Sequence, residues 1–363
     1  MQFNHLTIII GFVFGILLFY KLPDLKKAKL KSDDKELSVS VIIPARNEEK
    51  NLPNILADLK NQTYDIQEII CVDDNSEDNT AQVIVDYGMK YVKLSTLPGG
   101  WKGKTWACQN GASIASGEVL IFIDADVRLS NDAIERLVKR FIKNQTSISI
   151  QPYHTVKKHH EFFSLFFNMI QLCSTSICFF RSKQNTGLYG PLFMIPKSLF
   201  DEHGGYEVVK NDVAEDFNLG RYYNKQGVKM DLLLGGNSIT YRMYPESIGQ
   251  VVEGWSKNFA SAAVTLNLKL LIAIIMWLAF LTVLPYELVK AAISGQEIII
   301  LVLTFVYFLN TLLLYRVCKS MGSYPFLTCL FYPIYLIIFH IIFIHSIFAT
   351  FIFKSTTWKG RQL

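Results

Sequence analysis

Apolar residues are unevenly spread along the chain: long unbroken runs at both ends flank a middle in which short β-branched runs alternate with helix-period segments. Leu6 to Tyr20 (LTIIIGFVFGILLFY) is apolar apart from Thr7 and two glycines, and the first twenty residues carry no Asp, Glu, Lys or Arg. This predicts a membrane anchor over 1–22, at the lower limit of the about 20 helical residues a crossing needs. A basic leader region and a small-x-small cleavage site before Lys21 are both missing, so the anchor is expected to stay uncleaved. Lys21, Lys26, Lys27, Lys29 and Lys31 follow it against a single Asp24, and the positive-inside rule then places the middle of the chain in the cytoplasm.

Residues 270–353 form the second apolar region, with runs at Leu270–Val289, Ile298–Tyr315 and Phe326–Phe353. The first two predict membrane helices. The third would measure roughly 42 Å as one helix and holds His340 and His345, so a tilted helix and a tight hairpin both remain open. Lys354, Lys359 and Arg361 favour an inside tail, which an odd number of crossings after the middle would not give. A further apolar stretch, Phe162 to Phe180, interrupts the polar middle. Asn168, Gln171, Ser174, Thr175 and Ser176 break its surface as suits a half-exposed amphipathic segment, so it is expected to stay on the cytosolic side, either buried against the sheet or lying in the interface.

The middle, 38–267, reads as an α/β domain with a doubly wound, mostly parallel sheet. VSVIIPA (39–45), EIICVDD (68–74) and VLIFIDAD (119–126) predict buried strands, with helices expected over Glu48–Gln62 and Asp78–Tyr87. Ligands of such sheets sit at the carboxyl ends of the strands, where the acidic residues fall. Clustered carboxylates repel each other unless a cation or donors hold them, so Asp124 and Asp126 point to a divalent cation, Mg²⁺ or Mn²⁺, shared with a diphosphate.

Composition agrees with the mixed layout. Half of the 363 residues are hydrophobic, charged residues are 18% and mean hydropathy is +0.25, which fits poorly with either a purely soluble or a disordered chain. Net charge is only +5 and no basic arm interleaves with aromatics, so nucleic acid is not an expected partner. The six cysteines form no CxxC pair and no zinc spacing with the histidines, and are expected to be buried, reduced thiols.

Six segments in order, VSVIIPARNEEKNL (39–52), VDDNSEDNT (72–80), GWKGKTWA (100–107), DAD (124–126), GLYGPLFMIPKSLFDEHGGY (187–206) and AEDFNLG (214–220), resemble family 2 inverting glycosyltransferases. The resemblance implies the GT-A nucleotide-sugar fold. Within the family, the anchored layout, GWKGKTWA and the apolar tail are most similar to enzymes that glycosylate carotenoid acids. It implies that Pro44, Ala45, Arg46 and Glu48 line the nucleotide pocket, that Asp74 meets the uracil with Asp73 beside it, and that Lys102 and Lys104 hold the diphosphate. It further implies that Asp126 holds the metal with Asp124 nearby, and that Asp216 is the general base with Glu215 as its neighbour. A helix N-cap region is the plainer reading of Asn47–Glu49, and a solvated basic loop that of Lys102 and Lys104. GPLFMIPKSLF is expected as an acceptor-side strand and turn.

Processive members of the family carry Gln-x-x-Arg-Trp, whereas here Gln250 to Trp255 is one residue too long and has Gly254 in the Arg place. That argues against a chain-forming synthase, while Trp255 is left between the donor site and the lipid interface. The expected activity is transfer of glucose from UDP-glucose to the carboxyl group of a C30 carotenoid acid, by a multi-pass cell-membrane enzyme. Its expected partners are a UDP-sugar donor, a lipid-soluble acceptor, the membrane and other enzymes of the same membrane pathway. The alternatives are a polyprenyl-phosphate or other lipid glycosyltransferase, a polysaccharide synthase and, outside enzymes, a nucleotide-sugar sensor or transporter subunit.

Overall fold

The computed structural model describes residues 2–25, 36–176, 178–180, 187–212, 214–264, 266–348, 357–358 and 361–362. Lys26, Lys27, Lys29 and Lys31 of the basic cluster, and Lys354 and Lys359 of the tail, lie outside them. The chain divides into a sheet unit, Pro23–His154 with Asn185–Arg242, and a helical unit, Met1–Leu22 with Thr155–Gln184 and Met243–Leu363. This differs from a single 38–267 domain, because the Phe-rich stretch and the segment after Arg242 pack with the apolar helices.

The main sheet contains β1 (Val39–Ala45), β2 (Glu68–Asp73), β3 (Lys90–Lys93) and β4 (Val119–Ile123), while β5 (Val127–Leu129) belongs to a smaller one. Then follow β6 (Ser147–Gln151), β7 (Tyr153–His154), β8 (Leu192–Pro196), β9 (Met230–Leu234) and β10 (Ile239–Tyr241). The seven-stranded order is β3-β2-β1-β4-β8-β6-β9, and a second sheet runs β5-β10-β7. β1 pairs in parallel with both β2 and β4, and β8 is antiparallel to β4 and β6. The predicted strands therefore form, and in a mostly parallel, GT-A-like arrangement. All five residues of β4 are buried, as a strand covered on both faces requires.

Side chains alternate across β1. Val41 and Ile43 pack with Leu52, Ile55, Leu56 and Leu59 of the Leu52–Lys60 helix and with Ile134, Leu137 and Val138 of the Ala133–Asn144 helix. Ile42 points to the other face, against the Gly103–Ser113 helix. A Cβ at Gly111 would lie 2.5 Å from the Ile42 side chain, so glycine lets that helix lie directly on β1.

Glu68 clamps the amino-terminal edge. Its Oε1 accepts from the Ser40 hydroxyl at 2.8 Å and from both the backbone N–H and hydroxyl of Ser116 at 2.7 Å, while its Oε2 pairs with Lys90 Nζ at 2.9 Å. Burial alone would raise its pKa, but the Ser116 N–H, Ser116 hydroxyl, Lys90 and Ser40 pull it down to about 2.

In the helical unit, the Gln2–Leu18 helix runs antiparallel to the Leu268–Ile293 helix. Asn4 Nδ2 donates to Glu287 Oε1 at 2.6 Å, Phe12 meets Phe280 and Phe19 meets Trp277 edge-on. Leu268–Ile293 and Glu297–Met321 are each long and apolar enough to cross a membrane. The third run is not one helix. It breaks at Phe331 into Phe326–Leu330 and Tyr332–Ile347, with Pro333 in the first turn of the latter.

Of the two expectations for Phe162–Phe180 the structure shows burial, with partners in the helical unit. A 3-10 turn, His159–Ser164, leads into the helix Leu165–Ser174, which is buried on nearly every side. Asn168 Nδ2 donates to the Tyr324 hydroxyl at 2.8 Å, the Ser174 and Thr175 hydroxyls donate to the Gln171 and Leu172 carbonyls, and Phe166 and Phe167 pack on Phe339. Ten residues rise about 15 Å, half the thickness of a bilayer core. All six cysteines are buried free thiols, as expected.

Glu68→Gln should destabilise the protein by about 2 kcal/mol at pH 7, because hydrogen bonds to an ionised acceptor are lost. A depressed carboxylate pKa stabilises above the unfolded value and loses that contribution as pH falls. The wild-type advantage should therefore be full above about pH 5 and fade between the ordinary value of 4.5 and about 2, as read from denaturation midpoints across pH.

Candidate active site

Chain order reverses between β1 and β4, since β2 lies on one side of β1 and β4 on the other. A crevice at the carboxyl ends of the strands belongs at such a point. Two loops knit together there. Asn47 and Asn75 both adopt left-handed backbone, with φ of 52° and 54°, a conformation asparagine tolerates better than most residues. Asn47 N–H donates to Ser76 Oγ, Glu77 N–H to Asn47 Oδ1, Glu48 N–H to Thr80 Oγ1 and Glu49 N–H to Asp78 Oδ2. The loop after β1 is thereby locked to the loop after β2.

Asp74 is buried in this lock, its N–H donating to Ala45 O at 2.9 Å, one residue beyond the half-buried Pro44. Arg46 Nη1 donates to the Asp74 carbonyl at 2.7 Å and to the Asn75 carbonyl at 3.2 Å. Asp73 faces the other way. Its Oδ1 accepts the Ser76 N–H at 2.9 Å and its Oδ2 the Tyr91 hydroxyl at 3.2 Å. Both of its oxygens are engaged inside the fold, so Asp73 holds the turn beside Asp74. Glu48 Oε2 accepts from Asn51 Nδ2 at 2.8 Å, and the Glu48 charge is felt at Asp124 and Asp126.

β4 delivers Asp124 just past its end, where the Asp124 N–H donates to Pro191 O at 2.9 Å and its carbonyl accepts from Val127 N. Lys104, in the first turn of the Gly103–Ser113 helix, reaches across. Its Nζ lies 2.9 Å from Asp124 Oδ1, 3.1 Å from Asp124 Oδ2 and 3.2 Å from Asp216 Oδ2. Lys102 begins the same helix, and its N–H is tied to Lys210 O at 2.8 Å, with Thr105 Oγ1 donating to the same carbonyl at 3.1 Å. One ammonium thus joins a strand end to the start of the Glu215–Lys225 helix, where Glu215 and Asp216 are the first two residues.

Burial penalises the Lys104 charge, but Asp124, Asp216 and Glu215 outweigh that and hold its pKa well above the ordinary lysine value. Asp126 is less well served: burial, then the charges of Asp124 and Glu48, push its carboxyl up to about 7, with only Lys104 and a local N–H opposing. Burial first, and then Asp216, also raise Asp124 against the pull of Lys104. Negative charge therefore exceeds positive charge in this crevice. Asp216 Oδ1 is buried without a hydrogen-bond partner among the described residues.

Gly190 makes the Asp216 position available. A Cβ there would sit 1.7 Å from Asp216 Oδ2, so any side chain would expel the carboxylate. Sequence reasoning misses this glycine. A glycine-rich turn before a strand is the only signal, and it does not say what the missing side chain makes room for. GPLFMIPKSLF does form a strand, β8, but its residues 192–195 are wholly buried between β4 and β6. It bears on the crevice through Gly190, against Asp216, and Pro191, whose carbonyl accepts the Asp124 N–H.

Trp255 belongs to the helical unit. Its indole N–H donates to Ser164 Oγ at 2.9 Å and its ring stacks on Phe167 at 4.9 Å, which makes it a packing residue of that unit. Of the residues expected at the site, the structure brings Lys104, Asp124 and Asp216 into direct contact, with Asp126, Glu48 and Glu215 within electrostatic range.

The family described as "Glycosyl transferase family 2" matches residues 40–212. The 4,4'-diaponeurosporenoate glycosyltransferase of Staphylococcus haemolyticus (strain JCSC1435) is 32% identical over 281 residues, 76% of this chain and 75% of that protein. The protein of the same name from Staphylococcus aureus (strain USA300) is 30% identical over 358 residues, 96% of this chain and 93% of that one. Among solved structures, a mannosyltransferase from Pyrobaculum calidifontis in complex with GDP-Man and Mn²⁺ shares the fold with a TM-score of 0.53 at 16% identity, over 93% of this chain and 94% of that one.

Gly190→Ala should leave the melting temperature within a few degrees and leave nucleotide binding within about twofold. It should lower turnover at least tenfold, because a carboxylate moved by about 1 Å no longer meets its partner. Unchanged turnover would show that Asp216 does not need its present position.

Proposed function

The chain belongs to glycosyl transferase family 2, and from that premise we propose that it moves glucose from UDP-glucose onto the carboxyl group of a long apolar carotenoid acid at the cell membrane. That the chain is a glycosyltransferase follows from the family and from its relatives. The donor, acceptor and membrane are our reading. The acceptor rests on the two staphylococcal relatives, one of which aligns across 93% of its length. The chemistry rests on one observation: Lys104 joins Asp124 to Asp216, and Asp216 keeps a buried oxygen without a partner among the described residues.

In this reading Arg46 and Asp74 border the uridine, Asp74 lying buried within the locked loops with Arg46 on its carbonyl. Lys102 and Lys104, at the start of a helix, meet the diphosphate, where helix N–H groups and ammonium groups act together. The donor set fits a divalent cation. Among the described residues no three His, Cys, Asp or Glu side chains converge as a ready-made cage, but Mg²⁺ and Mn²⁺ need only one or two carboxylates plus substrate phosphates. Asp126, with excess negative charge around it, and Asp124 are those carboxylates. A cation bound there would neutralise charge on the departing UDP.

Asp216 faces the acceptor. If the acceptor enters as a neutral acid, its proton passes to Asp216 as the carboxyl oxygen attacks the anomeric carbon and the bond to UDP breaks. If it enters ionised, Asp216 can only position it. Three membrane helices, Gln2–Leu18, Leu268–Ile293 and Glu297–Met321, would leave the sheet unit and the end of the third helix on the same, cytoplasmic side.

Membranes carrying the protein, given labelled UDP-glucose and a C30 carotenoid acid, should form a glucosyl ester identifiable by mass spectrometry. Asp216→Asn should bind UDP as wild type does while losing about 100-fold in kcat. Retention of more than a tenth of the rate would reduce Asp216 to a positioning residue, and a labelled product on a different lipid would replace the acceptor assignment.

A further inference from the structure

Lys104 stands where a divalent cation bound to Asp124 would have to compete. Its ammonium contacts both Asp124 oxygens, at 2.9 and 3.1 Å, while Asp126, two positions further along the same loop, takes part in no ion pair among the described residues. The ammonium side chain is about a quarter exposed and carried on a flexible stem, so it can turn without moving its helix.

We propose that Lys104 is a built-in counter-cation that competes with the divalent metal for Asp124 in the donor-free protein and releases Asp124 only when a diphosphate gives it another anion. The metal and the nucleotide then bind as a pair, and the free metal binds poorly alone. This rests on the donor reading of the same crevice.

Three carboxylates, Asp124, Asp216 and Glu215, bear on a single ammonium, so removing it leaves like charges facing each other with no compensation. A bare divalent ion is the strongest available replacement. Lys104 also sits at a helix start, where anionic phosphate is favoured, so the same side chain has a partner on either side of the exchange. A lysine that only bound phosphate would not need to touch both oxygens of Asp124, and one that only held the fold would not need an exposed edge.

Calorimetric titration of the full-length protein in detergent, with Mn²⁺ alone and with UDP plus Mn²⁺, tests this. Wild type should bind Mn²⁺ alone weakly and at least tenfold more tightly in the presence of UDP. Lys104→Met should bind Mn²⁺ alone about tenfold more tightly than wild type does and UDP–Mn²⁺ about tenfold less tightly, so that one substitution moves the two affinities in opposite directions. Lys104→Arg, which keeps the charge, should leave Mn²⁺ alone as weakly bound as in wild type and shows that the effect is electrostatic. Melting curves establish that each variant is folded, and if Lys104→Met is not, the weak binding of Mn²⁺ alone by wild type and Lys104→Arg decides. Tight binding of Mn²⁺ alone by wild type, or no gain in Lys104→Met, overturns the counter-cation. No UDP binding by wild type even with Mn²⁺ overturns the donor site itself, which is a separate result.

Discussion

The contact of one ammonium with two carboxylates organises the site. Asp124 arrives at the end of a strand whose every residue is buried, and Asp216 starts a helix nearly a hundred residues later, so neither local propensity nor chain proximity brings them together. Two like charges in one crevice would drift apart or take up protons. Lys104 removes that tendency, and the elements around it exist to present it: Gly111 lets its helix lie on β1, and Thr105 ties the first turn to Lys210 O. The compensation is incomplete, since one positive charge faces several carboxylates and Asp126 is left with its pKa pushed up to about 7. A site balanced in this way is still short of positive charge.

Backbone hydrogen bonds to side chains tie the loops around that contact to one another. The segments after β1 and β2 exchange five such bonds, and the Asn47 and Asn75 backbones take the left-handed conformation that lets each loop face the other. At the opposite edge of the sheet Glu68 gathers Ser40, Lys90 and Ser116. Carboxylates thus serve two purposes. Where donors surround them, as at Glu68, the pKa falls and the group is structural. Where burial is joined by other carboxylates, as at Asp126, it rises.

Much of this was legible in the residues. The strands over 39–45 and 119–123 coincide with β-branched runs, and the acidic residues that end them mark the crevice. Adjacent acids are harder to separate from sequence. Asp73 and Asp74 look alike in the chain, but successive side chains leave a strand in opposite directions, and only Asp73 meets Tyr91. Gly190 was invisible as a functional position, because its contribution is the absence of atoms beside a carboxylate more than twenty residues away. Trp255 could not be assigned by motif, since an indole suits a sugar, a lipid interface or a stacked phenylalanine equally well, and the last is what it has.

Hydropathy misleads most at Phe162–Phe180, and strand pairing explains why. β4 and β6 precede this stretch and β8 follows it, yet β8 lies hydrogen-bonded between them, Ile121 opposite Met194 and Ile148 opposite the same Met194. Strands of one sheet share one side of a membrane, so the chain between them enters and leaves on that side whatever its composition. The apolar surface is then explained by partners within the protein: Phe166 and Phe167 meet Phe339, and Asn168 meets Tyr324, all in the helical unit. A single crossing would have put Asp124 and Asp216 on opposite faces of the bilayer, and the 3.2 Å contact of Lys104 with Asp216 could not form. Hydropathy sees how apolar a segment is but not what covers it, and here the cover is other helices of the same chain.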